Sequence, residues 1–161
     1  MRIRLAVAED DGVLADVMFD AVHHGCHVYS HAQRQAWVPA RCSGIKWIER
    51  LAAQSIFVAE ISGQVVGFMS LAGHGYIDFV YLRPSAQGTG IFRQLYHSIE
   101  SLALQTGVDR LWVHASLMAQ PAFTAMGFTI TVSERIDMRG QSLQRFNMEK
   151  QLYQPVRTLV D

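Results

Sequence analysis

The stretch that most constrains this chain is Tyr76 to Ala103, YIDFVYLRPSAQGTGIFRQLYHSIESLA. Tyr76 to Leu82 is apolar, β-branched or aromatic except at Asp78, which predicts a central strand. Arg83-Pro84-Ser85 ends it, because proline has no N–H to give the ladder. Gln87-Gly88-Thr89-Gly90 follows, and its two glycines permit a tight turn or a close approach to a ligand. Ile91, Leu95, Ile99 and Leu102 then recur at helical spacing. A glycine loop feeding a helix N-terminus offers unpaired N–H groups and the positive end of the helix dipole, so this unit is a ready anion site.

Composition sets the frame around that unit. Of 161 residues, 50% are hydrophobic and 17% charged, below the usual ~25%. One domain with a real core is expected over residues 1–152, followed by a tail, 153–161. Lys and Arg number 14 and Asp and Glu 14, with no basic cluster, so no nucleic-acid partner is expected. No apolar run approaches ~18 residues, so no membrane partner is expected either. Met1-Arg2-Ile3-Arg4 enters an alternating strand without a signal-peptide pattern. Cys26 and Cys42 are too few for a disulfide framework, which points to reduced thiols and a cytoplasmic protein.

The rest of the chain reads as follows. Arg2 to Val7 is a short strand, and Asp10 or Asp11 caps a helix with Val13, Leu14, Val17, Met18 and Ala21 on one face. His23 to His31 is a segment apart, and Ala32 to Trp37 is a helical turn. Ser43 caps a helix over 44–53 whose apolar positions are Ile45, Ile48, Leu51 and Ala52. Ser55 to Ile61 and Val65 to Leu71 form a hairpin about Ser62-Gly63-Gln64. After the central helix, Gly107 is a C-cap, Arg110 to Ala115 a strand and Met118 to Met126 a helix. Phe128 to Val132 and Leu143 to Met148 are the last strands. The class is mixed α/β, antiparallel at first and then crossing over through a helix.

Two phosphate motifs fail on Gln87 to Phe92. A nucleotide P-loop needs Gly-Lys-Ser/Thr, but Ile91 and Phe92 follow Gly90. A dinucleotide fingerprint needs a third glycine where Arg93 stands. A plain turn that starts a helix stays open on the motif alone.

The wider pattern resembles the GNAT superfamily of N-acetyltransferases. Its Gln/Arg-x-x-Gly-x-Gly/Ala signature corresponds to Gln87-Gly88-Thr89-Gly90-Ile91-Phe92, with Phe92 in the last, usually small, position. A second element keeps Ala119 and Gly127-Phe128, with Ser116 for the usual Asn and Phe123 for the usual Tyr. Phe57 to Leu71 resembles the family's second and third strands. The chain is most similar to small bacterial members that end as Arg139-Gly140…Leu143…Phe146-Asn147-Met148-Glu149-Lys150 does. The resemblance implies a GNAT fold, a mixed central β-sheet of about six to seven strands flanked by helices.

It also implies chemistry: transfer of the acetyl group of acetyl-CoA directly to an amine of a small molecule or protein, with no metal. Gln87, Gly88, Thr89, Gly90, Ile91 and Phe92 would hold the diphosphate. The main chain of Val80, Tyr81 and Leu82 would pair with the pantetheine arm, and Ser116 would hydrogen-bond it. An N–H near Val80 or Tyr81 would stabilise the oxyanion. The family's base positions fall on Asp78 and Tyr76. Strand alternation would put Tyr76, Asp78 and Val80 on one face, and burial of Asp78 in an apolar strand would favour proton uptake. A structural hydrogen bond is the competing reading of Asp78, and plain packing that of Tyr76. Phe123 cannot donate a proton to the departing sulfur; Tyr96 and His114 are the conceivable substitutes.

The family's acceptor site draws on its first helices, which implies His24, Tyr29 and Trp37 as pocket residues. His23, His27 and His31 have a metal-like spacing, but Gly25 and Tyr29-Ser30 interrupt the helix that would align them. A homodimer is compatible with the family. The alternative to an enzyme is a non-catalytic acyl-CoA-binding regulatory or interaction protein, motivated by Phe92 and Phe123.

Overall fold

The computed structural model describes residues 1–153. The expected tail therefore lies outside the described residues except for Tyr153, which is exposed. Seven strands form one sheet: β1 (Arg2–Leu5), β2 (Ser55–Ile61), β3 (Gln64–Leu71), β4 (Tyr76–Leu82), β5 (Arg110–Ser116), β6 (Thr129–Met138) and β7 (Gln141–Gln151). Their order is β1-β2-β3-β4-β5-β7-β6. Only β4 and β5 pair in parallel, and α4 (Ile91–Gln105) is the crossover between them, as a parallel pair requires. The other helices are α1 (Asp11–Gly25), α2 (His31–Trp37), α3 (Ile45–Ala52) and α5 (Gln120–Ala125). Among the described residues no helix is long and apolar enough to cross a membrane.

Each face of the sheet carries its own core. On one, Ile91, Leu95 and Ile99 of α4 pack on Met69, Ile77, Leu111 and Val113. On the other, Leu14, Val17 and Met18 of α1 and Trp47 and Leu51 of α3 pack on Val58, Phe68 and Phe79. A smaller cluster of Cys26, Tyr29 and Leu143 joins the end of α1 to the β6–β7 ribbon. Burying apolar area of this kind contributes roughly 25 cal/mol per Å2.

Several expectations are corrected. Asp10 does not cap α1: its carboxylate accepts the Val7 N–H at 2.8 Å and pairs with Arg4 at 2.7 Å, so it closes the short turn before that helix. Ser43 makes no side-chain cap on α3. The buried face of α3 is Trp47 and Leu51, 6% and 5% exposed, while Ile45 and Ile48 are 67% and 46% exposed. Trp47 decides that orientation, because its ring meets Phe79 and its indole N–H reaches Asp11 O at 2.9 Å. α1 runs on through His23, His24 and Gly25. β6 and β7 are longer than their apolar segments, since β6 is a mostly exposed edge strand lined with Glu134, Arg135 and Asp137.

Two glycines with nearly the same backbone angle separate conformational from steric demand. Gly107 (φ +78°) follows α4 in a Schellman turn, with Val108 N donating to Ala103 O and Gly107 N to Leu104 O, and a Cβ there would meet nothing within 4 Å. Gly75 (φ +77°) enters β4, where a Cβ would lie 2.0 Å from Arg110 O. Gly107→Ala is expected to cost roughly 1–2 kcal/mol. Gly75→Ala adds a backbone clash and should cost about 3 kcal/mol or more in urea unfolding. Equal losses would show that the close approach to β5 carries no weight.

Candidate functional site

β4 and β5 pair at Tyr76–Trp112 and Ile77–Val113. Past Ile77 the pairing ends, and a cleft opens that is lined by Asp78, Val80 and Tyr81 on one side and His114, Ala115 and Ser116 on the other. On its other edge β4 stays paired with β3: Arg83 N donates to Val66 O at 2.8 Å and Phe79 N to Ser70 Oγ at 2.9 Å. Main-chain groups alternate along a strand. Val80 and Leu82 therefore present their N–H and C=O to the gap, and Tyr81 presents its own to β3. Of the two expected oxyanion donors, only the Val80 N–H faces the cleft.

A bulge reorganises the side chains. Opposite β4, register runs from Leu71–Ile77 to Met69–Val80, so Asp78 and Phe79 together face Ser70. The extra residue reverses the alternation. Ile77 and Val80 both pack toward the α4 core, while Phe79 and Tyr81 pack toward α1 and α3. The expectation that Tyr76, Asp78 and Val80 share a face is thus corrected: Tyr76 and Asp78 line one cavity with Tyr81 and without Val80.

Asp78 is also not alone among apolar groups. Arg50 donates to it from Nε (3.1 Å) and Nη2 (2.8 Å), and Gln54 from Nε2 (2.9 Å). A carboxylate has about four lone-pair positions, and these donors take three. Behind them, Ser70 Oγ donates to Gln54 Oε1 at 2.6 Å while accepting the Phe79 N–H. Arg50 lies over the Phe79 ring at 4.3 Å. Neither Arg50 nor Gln54 carries a sequence signal, because their meeting with Asp78 depends on the bulge.

At the other end of the cleft, Gln87 to Phe92 forms the turn into α4, with Gly88 and Gly90 at φ +71° and +84° and open space where a Cβ would stand. The N–H groups of Gly88 to Arg93 have no protein acceptor among the described residues. Thr89 Oγ1 ties back to Ala86 O, and Ile91 is buried under the helix. The Phe92 ring turns away from that turn to meet Phe123 edge-on at 5.1 Å. An open cavity lies beside the loop, lined by Val80, Leu82, Gln87, Gly88, Phe92 and Ser116 among others. Ser116 Oγ accepts the Ala119 N–H at 3.0 Å, which leaves its own proton to donate.

A second, more polar cavity continues past Ser116 and Tyr81. It is lined by Tyr76, Asp78, Arg50, His114 and Arg145, with Trp37 and Tyr29 on the far wall. Tyr76 lies on Trp112 at 4.3 Å between ring centroids. Burial raises its phenol pKa, and the Asp78 charge adds to that. The Tyr29 hydroxyl is fully used, donating to Gln144 O (2.8 Å) and accepting from Leu117 N (2.9 Å), so Tyr29 offers only its ring.

Other expected residues lie elsewhere. His24 is 65% exposed in its side chain and pairs with Asp20, away from both cavities; α1 turns it outward. His23 stacks on Phe19 and bonds Val38 O, while His27 meets Arg34. Phe123 is fully buried against Phe92 and Phe128. Tyr96 is buried, its hydroxyl held by Glu100 and Lys150, and it lines neither cavity, so it is no substitute for an acid. His114 does line the polar cavity, with Nδ1 on Asn147 Oδ1.

The model of the GNAT acetyltransferase domain matches residues 25–152 of the chain. The chain belongs to the GNAT acetyltransferase family. An uncharacterised N-acetyltransferase of Escherichia coli, YafP, is 32% identical over 120 residues, 74% of this chain and 75% of that one. A solved GCN5-related N-acetyltransferase from Rhodopseudomonas palustris superposes with a TM-score of 0.88 at 30% identity, covering 94% of this chain and 95% of its own. A putative acetyltransferase from Salmonella typhimurium, solved with its cofactor acetyl-CoA, has the same fold at 22% identity and a TM-score of 0.67, with 96% and 95% covered. The parted strands and glycine turn described above therefore belong to a GNAT enzyme.

In this GNAT cleft Cys26 lines the cavity beside the loop, and burial pushes its thiol up to about 11. At pH 8 roughly one thiol in a thousand would then be ionised. Iodoacetamide should label the half-exposed Cys42 first and Cys26 only slowly, as read by peptide mass mapping. Fast labelling of Cys26 in the folded protein would contradict that burial.

Proposed function

We propose that this chain transfers the acetyl group of acetyl-CoA directly to a primary amine, and that a single domain over residues 1–152 does so. The observation that carries the reading is the parting of β4 from β5 between two different ends. One end is a loop with unspent N–H donors, the other a cavity with titratable side chains.

The main-chain N–H groups from Gly88 to Phe92, beside Gln87 and Thr89, suit a diphosphate, and the start of α4 adds its dipole. Val80 and Leu82 suit a pantetheine arm laid along β4 as an added strand, with the Ser116 hydroxyl as a further donor. The Val80 N–H is the oxyanion donor, the kind whose removal elsewhere costs about 3–4 kcal/mol. Acetyl-CoA supplies an activated thioester. The amine nitrogen bonds to its carbonyl carbon, the C–S bond breaks and coenzyme A leaves.

The proton shed by the amine goes to Asp78, directly or through water, at the lone-pair position that Arg50 and Gln54 leave open. The Tyr76 phenol lines the same space and keeps its proton, so it aligns the amine. Phe123 has no proton for the sulfur, and a thiol of pKa ~8.5 leaves without one near neutrality. One observation favours a second base. If Asn147 Oδ1 accepts from His114 Nδ1, then His114 Nε2 carries a lone pair toward the cavity.

Calorimetry should give acetyl-CoA binding, and a thiol-release screen of amines should find an acceptor. Asp78→Asn should then lower kcat by about 100-fold or more with acetyl-CoA affinity unchanged. If Asp78→Asn keeps the rate while His114→Gln loses it, the base is His114. Absence of acetyl-CoA binding would remove the whole reading.

A further inference from the structure

The polar end of the cleft holds guanidinium donors that acetyl transfer does not use. Its lining side chains include two guanidiniums, Arg50 and Arg145, against one carboxylate, Asp78. Glu134, which takes the Arg145 Nε at 2.7 Å, does not line the cavity. Arg50 spends Nε and Nη2 on Asp78, and its Nη1 takes no acceptor among the described residues. The terminal nitrogens of Arg145 likewise take none. Arg50, Arg145, Asp78 and Tyr76 all line this one cavity. The facing wall is apolar, made by Trp37, Ile136, Met138 and Leu143.

A purely cationic amine, such as a polyamine, has no acceptor for these unspent N–H donors. A zwitterion has one. Its carboxylate fits the free guanidinium N–H groups, which suit a planar two-oxygen acceptor, and its ammonium fits the open position on Asp78. The apolar wall fits a hydrocarbon or aromatic arm.

We propose that the acceptor is a small amine bearing its own carboxylate and an apolar arm, of the apolar α-amino acid class, with Arg145 and Arg50 holding the carboxylate. This rests on the acetyltransferase reading above. Arg145 is the specificity residue, whereas Arg50 also positions Asp78.

An unreactive pair of probes tests it. The protein is titrated calorimetrically with coenzyme A, and the complex then with 3-phenylpropionate or 3-phenylpropanamide. The acid should bind about 10- to 100-fold tighter than the amide, the range for a hydrogen-bonded charge. Arg145→Gln should erase that preference and Arg145→Lys should keep part of it, with coenzyme A affinity unchanged in both. Equal or tighter binding of the amide by the unaltered protein overturns the proposal. So does a preference that survives Arg145→Gln. The coenzyme A step separates the two readings: binding there without acid preference removes the zwitterion and leaves the acetyltransferase. In turnover, L-phenylalanine should exceed L-phenylalaninamide in kcat/KM, and the reverse order overturns the proposal as well.

Discussion

The bond from Phe79 N to Ser70 Oγ holds the site together. Ser70 is fully buried, and at the bulge it supplies an acceptor to a β4 N–H. Without it that buried N–H would stay unsatisfied at a cost of about 1–3 kcal/mol. The same hydroxyl gives its proton to Gln54, which holds Asp78, which holds Arg50. One buried serine thus couples the backbone irregularity to the only carboxylate lining the polar cavity among the described residues.

The bulge also explains why one strand serves two purposes. Before it, Ile77 is tied to β5 and to the core under α4. After it, Val80 and Leu82 stay on that side with their main chain open to the gap, while Tyr81 closes over the core under α1. β4 therefore gives its side chains to two cores and leaves one edge without a strand partner past Ile77. The turn at Gly88 and Gly90 meets that edge because Pro84 ends β4 and the apolar face of α4 fixes where its first turn begins.

Much of this was legible in the residues. Tyr76 to Leu82 announced the strand, Gly88 and Gly90 the tight turn, and Ile91, Leu95 and Ile99 the crossover helix, because each signal is local. The partners of Asp78 were not legible. Arg50 and Gln54 lie more than twenty positions away, one on α3 and the other just after it, and the apolar pattern of that helix suggested a different buried face. One large ring, Trp47, outweighed Ile45 and Ile48 in orienting it. His24 was misplaced for a similar reason: α1 continues through Gly25, so His24 turns to solvent beside Asp20. β6 alternates at Ile130, Val132, Ile136 and Met138, but Glu134 interrupts the series and the strand is mostly exposed, so only its start read as a strand.

The far wall of the polar cavity comes from parts that the glycine turn does not touch. Arg139 Nη1 reaches Ala36 O at 2.6 Å and Gln33 Nε2 reaches Ser142 O at 2.9 Å, so the tip of the β6–β7 ribbon is tied to α2. Ile136, Met138 and Leu143 hang from that ribbon. Substitutions there reshape one half of the cleft and leave the other half intact. A lineage of such enzymes can therefore change what it acts on by drift in one hairpin, while the machinery common to all its reactions is inherited unaltered.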